Sequence, residues 1–288
     1  MKYLIVKGWL GFGDRLEHLK MCVLYAQTYN LQIYVDWRDS MWSHGNEDFY
    51  TYFKLINMPV LNSLADIPAD ATYYPAYWKG NLDEKISWEF IGKRKEDNID
   101  IGQLLKPYDA DVIVASNIGF RTIYPDQVFF TNVFRVIDTR VLAGIQYHRS
   151  KHPVEKSWGV HIRGTDHLRD RHRHMSVQSM VSHVTIYGGM NVQNILSVSD
   201  DKENLEIWRR FYPKTYVVSN PLTSSLAGNH NLDSKTLETS KDELNVSMLI
   251  DFFIFALCER RFSTIKSSRF SREANRLHPY IDTLLSAT

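Results

Sequence analysis

The sequence predicts an α/β fold made of two units, each built on a parallel sheet, that face each other across a cleft. Three observations carry this expectation. The chain opens with a buried apolar run, a glycine-rich turn, an amphipathic helix and a second apolar run. That is a β-loop-α-β unit, whose parallel strands need a right-handed crossover. A polar stretch without an apolar face at 150–156 then interrupts the chain, and a second alternation of strand and helix patterns follows it. Finally, 288 residues exceed the common single-domain size. The expected domains are 1–150 and 157–288.

Residues 3–6 read as a buried strand, 8–14 as a turn, and 15–30 as a helix with Leu16, Leu19, Val23 and Ala26 on one face; 31–35 is the next strand. Between 43 and 105, helical pieces at 49–56 and 83–94 alternate with turn-rich segments holding Pro59, Pro68 and Pro75. A strand at 112–116 and a helix at 138–149 complete the first half. After 150–156, strands are expected at 158–162, 194–198, 215–218 and 261–265, and helices at 177–187, 202–211, 243–257 and 268–277. Ligands of such sheets bind outside the carboxyl ends of the strands, so the interdomain cleft is the default site. There is no internal repeat and no low-complexity tract.

Composition narrows the function. Hydrophobic residues make up 44% and charged residues 23%, which excludes a disordered tail and a small disulfide scaffold. Lys and Arg number 34 against 33 Asp and Glu, and a net charge of +1 gives no field to attract a nucleic acid. Cys22 and Cys258 lie in apolar helical patterns, where a thiol acts as a small hydrophobe. This fits a reducing, cytoplasmic setting. The first residues are too short an apolar run for a signal peptide, and Asp251 interrupts the most apolar stretch, 247–258, so no transmembrane segment is expected.

Four constellations could carry chemistry. In His161-Ile162-Arg163-Gly164-Thr165-Asp166, at the carboxyl end of a strand, Arg163 can clamp a pyrophosphate with its planar guanidinium, or be a surface Arg at a strand end. Ser267 and Ser268 stand before a helix, where hydroxyls and free amides hold an anion or simply cap. Asp251 is a carboxylate on an apolar helix and must have a partner. A guanine edge, with its N1–H and N2 amino group, suits it; a bridge to Arg260 or Arg261 is the alternative. In Gly8-Trp9-Leu10-Gly11-Phe12-Gly13-Asp14, followed by Asp36, a dinucleotide fingerprint fails because Leu16 takes the third glycine's place. The loop reads instead as close backbone approach to a phosphate or sugar. Asp109-Ala110-Asp111 matches a short metal-binding pattern that recurs by chance. His167, His172 and His174 lie among Arg169, Arg171 and Arg173, which repel a cation. No serine-hydrolase elbow or phosphate loop occurs.

Together the Gly11-Phe12-Gly13 loop, Val35-Asp36-Trp37-Arg38, His161 to Asp166, Ser199-Asp200-Asp201, Asp251 and Ser267-Ser268 resemble, in order and context, the α-1,6-fucosyltransferases, relatives of the protein O-fucosyltransferases. The resemblance spans 3–45 and 157–275. It implies a GT-B-like fold of two Rossmann-type domains and an inverting, metal-independent transfer of fucose from GDP-fucose to a glycan hydroxyl, with no cofactor. The second domain would hold the donor. By this similarity Arg163 takes the β-phosphate, His161 and Asp251 the guanosine, and Ser267 or Ser268 the phosphate from the opposite side. Asp201 joins the donor set, and the Gly11, Phe12, Gly13 loop closes over the pyrophosphate. Asp14, Asp36, Trp37 and Arg38 lie on the acceptor side. Asp166 and Asp170 are the candidate bases. Two positions depart from the pattern: Gly164 stands where a second basic residue is usual, and His167 where a Lys is usual. The alternatives are an NAD(P)-dependent oxidoreductase and a degenerate transferase-like protein that binds glycans.

Overall fold

The computed structural model describes residues 2–45, 47–94, 96–97, 106–116, 124–164, 175–188, 193–219 and 239–286. The chain divides into two compact units, Met1–Asp138 with Thr283–Thr288, and Thr139–Asp282.

In the first unit β1 (Tyr3–Lys7), α1 (Phe12–Thr28) and β2 (Gln32–Asp36) form the opening β-loop-α-β unit. Then come α2 (Phe49–Tyr52), β3 (Phe53–Leu55), β4 (Tyr73–Tyr74), α3 (Trp88–Lys93), β5 (Val112–Ala115), α4 (Asp126–Val128) and β6 (Phe134–Val136). Its sheet runs β2-β1-β5-β4, all parallel, and β3 pairs antiparallel with β6. Tyr3, Ile5, Val112 and Val114 pack with Trp9 and Trp78 on one face. Burying an aliphatic side chain of this kind contributes about 1.5–3 kcal/mol.

The second unit comprises α5 (Thr139–Lys151), β7 (Trp158–Ile162), α6 (Val177–Gly188), β8 (Ile195–Ser199), α7 (Lys202–Phe211), β9 (Tyr216–Val217), α8 (Lys241–Leu257), β10 (Arg260–Ser263) and α9 (Arg269–Leu277); α10 (Ile281–Ser286) starts at its end and belongs from Thr283 on to the first unit. The sheet order is β10-β7-β8-β9, again parallel. Val160 and Ile162 pack with Val184, Ile195, Leu205 and Trp208. A capping box of Ser240 and Glu243 starts α8, so its first amides are satisfied before the apolar run begins.

Three differences from the sequence reading have physical causes. The stretch 49–56 is not one helix: α2 ends at Tyr52, and Phe53, Lys54 and Leu55 alternate buried, exposed, buried as a strand. A short apolar run of this length fits either period. Only 88–93 of the stretch 83–94 is helical. The boundary between units falls at 138/139 rather than at 150–156, because α5 packs on α8: a β-carbon on Gly144 would lie 2.9 Å from Cγ1 of Ile250.

Candidate functional site

In the second unit the residues just past the strands come together. Arg163 follows β7, Asp200 follows β8, and Thr264 follows β10. The Arg163 backbone amide donates to Thr264 Oγ1 at 2.9 Å, and its Nη1 lies 2.7 Å from Asp200 Oδ2. The other oxygen of Asp200 accepts from the Gly164 amide at 3.2 Å. A carboxylate is thus held by one guanidinium and one backbone N–H, the donors that also suit a phosphate oxygen. This is the place where sheets of this kind bind ligands.

Asp251 meets no cationic partner among the described residues. Its Oδ1 is buried and has no hydrogen-bond partner among those residues. Ser219, two residues past β9, accepts from Ser247 at 3.1 Å and bonds the Asp251 carboxylate. Burial pushes the carboxyl up to about 7; the Ser219 hydrogen bond opposes that rise and the charge of Asp200 adds to it. The bridge to Arg260 or Arg261 does not form. Arg260 lies over the Trp158 ring at 4.8 Å, and Arg261 binds Asn275 Oδ1 and the Cys258 carbonyl.

His161 is buried on β7, and its Nδ1 lies 3.1 Å from Ser263 Oγ and 3.0 Å from Ser271 Oγ. Its ring stacks on Phe270 at 4.8 Å, and Phe270 meets the edge of Phe252, the neighbour of Asp251, at 5.1 Å. An aromatic chain therefore links His161 to the helix that carries Asp251. Ser268 is the N-cap of α9, accepting from the Ser271 amide, and Ser267 is exposed. Asp201, expected among the donor residues, has a role in the fold. It is the N-cap of α7, accepting from the Asn204 amide at 2.8 Å, and is 4% exposed.

The first-unit residues turn inward. Gly11 is the N-cap of α1, whose first turn holds Phe12, Gly13 and Asp14. The helix therefore starts three residues before the expected 15. Phe12 is a core residue, stacked on Phe53 at 5.6 Å and Trp42 at 6.0 Å, rather than a side chain presented to a donor. The close approach in this loop is internal. A β-carbon on Gly8 would lie 2.8 Å from both Asp39 Oδ2 and the Trp37 backbone. Asp39 there forms a buried pair with Arg15.

Asp36 is 4% exposed, with Lys7 Nζ at 2.7 Å, Arg38 Nε at 2.8 Å and Arg38 Nη2 at 3.2 Å. Burial alone would raise its carboxyl; Lys7 and Arg38 outweigh that and hold it below the usual carboxylate range. Burial pushes Lys7 down against the attraction of Asp36. Both oxygens of Asp36 are engaged, so it cannot bind a ribose as the oxidoreductase reading requires. Trp37 is fully buried against Phe12, Trp42, Phe49 and Phe53. Of the expected acceptor-side set, Asp14 is part-buried and Arg38 reaches the surface, with both of its short contacts going to Asp36.

Asp166 and Asp170, the candidate bases, lie outside the described residues, as do His167, His172 and His174. Among the described residues no group of three His, Cys, Asp or Glu could hold a metal ion, and no helix is long and apolar enough to cross a membrane. Asp111 accepts from the Thr72 amide and hydroxyl, a contact between the residues that precede the paired strands β4 and β5. The sequence reading placed Asp200 in the Ser199-Asp200-Asp201 motif without giving it a role, and it missed Thr264 and Ser219. The parallel register pairs Ile162 with Ser199, so the next positions, Arg163 and Asp200, were neighbours that this pairing could have revealed.

No family model and no curated protein matches the sequence. The fold has clear counterparts, and it is the GT-B-like α/β fold of fucosyltransferases. The chain is similar to the fucosyltransferase NodZ from Bradyrhizobium, at 17% identity and a TM-score of 0.69, over 96% of this chain and 93% of that one. The NodZ alpha-1,6-fucosyltransferase soaked with GDP-fucose gives 18% and 0.68, over 97% and 94%. POFUT1 in complex with GDP gives 10% and 0.56, over 96% and 94%. What is shared at these identities is the fold.

Proposed function

We propose that the protein is an inverting, metal-independent glycosyltransferase that moves fucose from GDP-fucose to a hydroxyl of a glycan acceptor. The observation that carries this reading is the Asp251 carboxylate, which leaves one buried oxygen without a partner among the described residues, beside Ser219 and Asp200 at the carboxyl ends of the second sheet. Guanine presents two adjacent N–H donors to such a group; adenine and the pyrimidines do not. The Arg163 guanidinium, held in place by the Asp200 carboxylate, supplies an anion site for the diphosphate. The fold shared with NodZ soaked with GDP-fucose and POFUT1 in complex with GDP supports a GDP-sugar as the donor.

In this reading the second unit holds the nucleotide and the first unit serves the acceptor. As the bond to the sugar carbon breaks, negative charge grows on the departing phosphate, and Arg163 with Ser267 and Ser268 stabilises it without a metal ion. Asp166 or Asp170 takes the proton of the attacking hydroxyl. His161 backs the guanosine. The two free, buried thiols, Cys22 and Cys258, support a reducing, cytoplasmic setting.

The test is release of GDP from GDP-fucose in EDTA across a panel of oligosaccharides. Acceptor-dependent release is expected. Release that stays absent with every acceptor, or that needs Mn²⁺, contradicts the proposal. NAD and NADP are expected to leave the melting temperature unchanged.

A further inference from the structure

Arg163 is gripped from both neighbouring strands. On the β10 side Thr264, fully buried, accepts from its amide; on the β8 side Asp200 holds its guanidinium. The Asp200 carboxylate is itself fixed, since its second oxygen is engaged by the Gly164 amide and the residue is only 9% exposed. An Arg side chain has many rotamers and loses entropy when it is held in one of them. A guanidinium on one backbone anchor would sample many orientations. Bonded to a rigid carboxylate through Nη1, it is set in one orientation before any ligand arrives. Electrostatic stabilisation of a transition state depends on that pre-arrangement, because a group that must first reorient loses part of its effect.

We infer that Asp200 is a positioning residue, which fixes the Arg163 guanidinium in the orientation it needs to stabilise the departing phosphate. The inference deepens the transferase reading and rests on it for the rate effect. The rival role for Asp200 is that of a placeholder, a carboxylate sitting where the phosphate goes. The two roles predict opposite changes in binding. A positioning residue, when neutralised, leaves GDP affinity little changed and lowers turnover; a placeholder, when neutralised, lets GDP bind more tightly.

Asp200→Asn keeps the shape and an acceptor for the Gly164 amide while removing the charge, and Asp200→Ser serves if it does not fold. Two measurements decide. The first is the ¹⁵N–¹H spectrum of the arginine side chains in the ligand-free protein, where a restrained guanidinium gives separate Nη signals. The Arg163 signals are expected to be resolved in the wild type and averaged in Asp200→Asn; unchanged signals overturn the inference whatever reaction the protein performs. The second is a double-mutant cycle with Arg163→Lys, read as turnover at saturating GDP-fucose together with the GDP dissociation constant. Each single change is expected to lower turnover about 10²-fold, the double change little more than either, and GDP affinity to change less than about fivefold. Additive losses, unchanged turnover in Asp200→Asn, or tighter GDP binding would overturn it. A wild type that binds GDP but does not turn over GDP-fucose defeats the transferase reading, while the spectrum still decides the positioning role.

Discussion

Asp201 fills the space that a side chain on Gly164 would need: its Cγ lies 2.5 Å from the position of the absent β-carbon, with Asn204 Nδ2 also at 2.5 Å. The glycine is therefore required by the cap of α7, and a second basic residue after Arg163 cannot be accommodated without moving it. Gly164→Ala is expected to destabilise the protein by about 1–3 kcal/mol, the scale of overpacking. In an Asp201→Ala background, which itself costs about 1 kcal/mol of capping, the same change should cost less. Urea melts of the four proteins check this, and additive losses would contradict it.

The Lys7–Asp36–Arg38 cluster is structural. Asp36→Asn leaves the buried Lys7 without its counter-charge and is expected to cost about 3–5 kcal/mol at neutral pH. The sign follows from its lowered carboxyl: the stabilisation is present above the ordinary carboxylate range and is lost as pH falls through the folded-state value. Equal stability of variant and wild type at pH 7, or a gap between them that does not narrow as the pH is lowered, would contradict this role.

Asp251 should make nucleotide binding depend on pH. With its carboxyl pushed up to about 7 by burial, the ligand-free protein holds a proton there in mild acid. Guanine N–H donors need the ionised form, so GDP affinity is expected to rise with pH through 7 and to fall towards about tenfold per unit on the acid side. The stability of the ligand-free fold runs the other way. This group's contribution is full below the unfolded value of 3.8 and is lost as pH rises through about 7. Asp251→Asn should therefore raise the melting temperature at pH 8 and flatten the binding profile. Calorimetry from pH 5.5 to 8.5 tests both, and a wild-type profile as flat as the variant's contradicts the role given to Asp251.

Arg163→Lys keeps the charge but loses the planar fork. Turnover at saturating donor is expected to drop about 10²-fold with a smaller loss of GDP affinity, because growing charge on the phosphate is felt in the rate. Near-wild-type turnover would make Arg163 a docking residue.

Much of the second unit was readable because its elements repeat one signal: short apolar strands such as 158–162 followed by a polar loop and an amphipathic helix. The motif residues at its strand ends fell where the parallel-sheet rule puts ligands. The first unit was harder, for two reasons seen in particular residues. The run 49–56 fits both periods, and β4 is two residues long, below any window that periodicity can sense. At the site, residue type misled where a polar side chain had two uses. Asp201 and Asp200 are adjacent carboxylates, and only the register of β7 with β8 shows that the first caps a helix while the second meets Arg163. The Phe12 ring and the Asp36 carboxylate looked like ligand groups, yet Phe12 packs on Trp42 and Asp36 pairs with Lys7, 29 residues away, contacts that no local pattern reveals.

The central claim is that the second unit reads guanine through Asp251 and so takes a GDP-sugar. Its most direct test is the dissociation constants of GDP, ADP, UDP and CDP at pH 8, for the wild type and Asp251→Asn. GDP is expected to bind at least tenfold more tightly than the other three, and the variant to lose that margin, a change of about 1.5–3 kcal/mol for hydrogen bonds to a charged group. Equal affinities for all four diphosphates, or a preference for GDP that survives in Asp251→Asn, would contradict it.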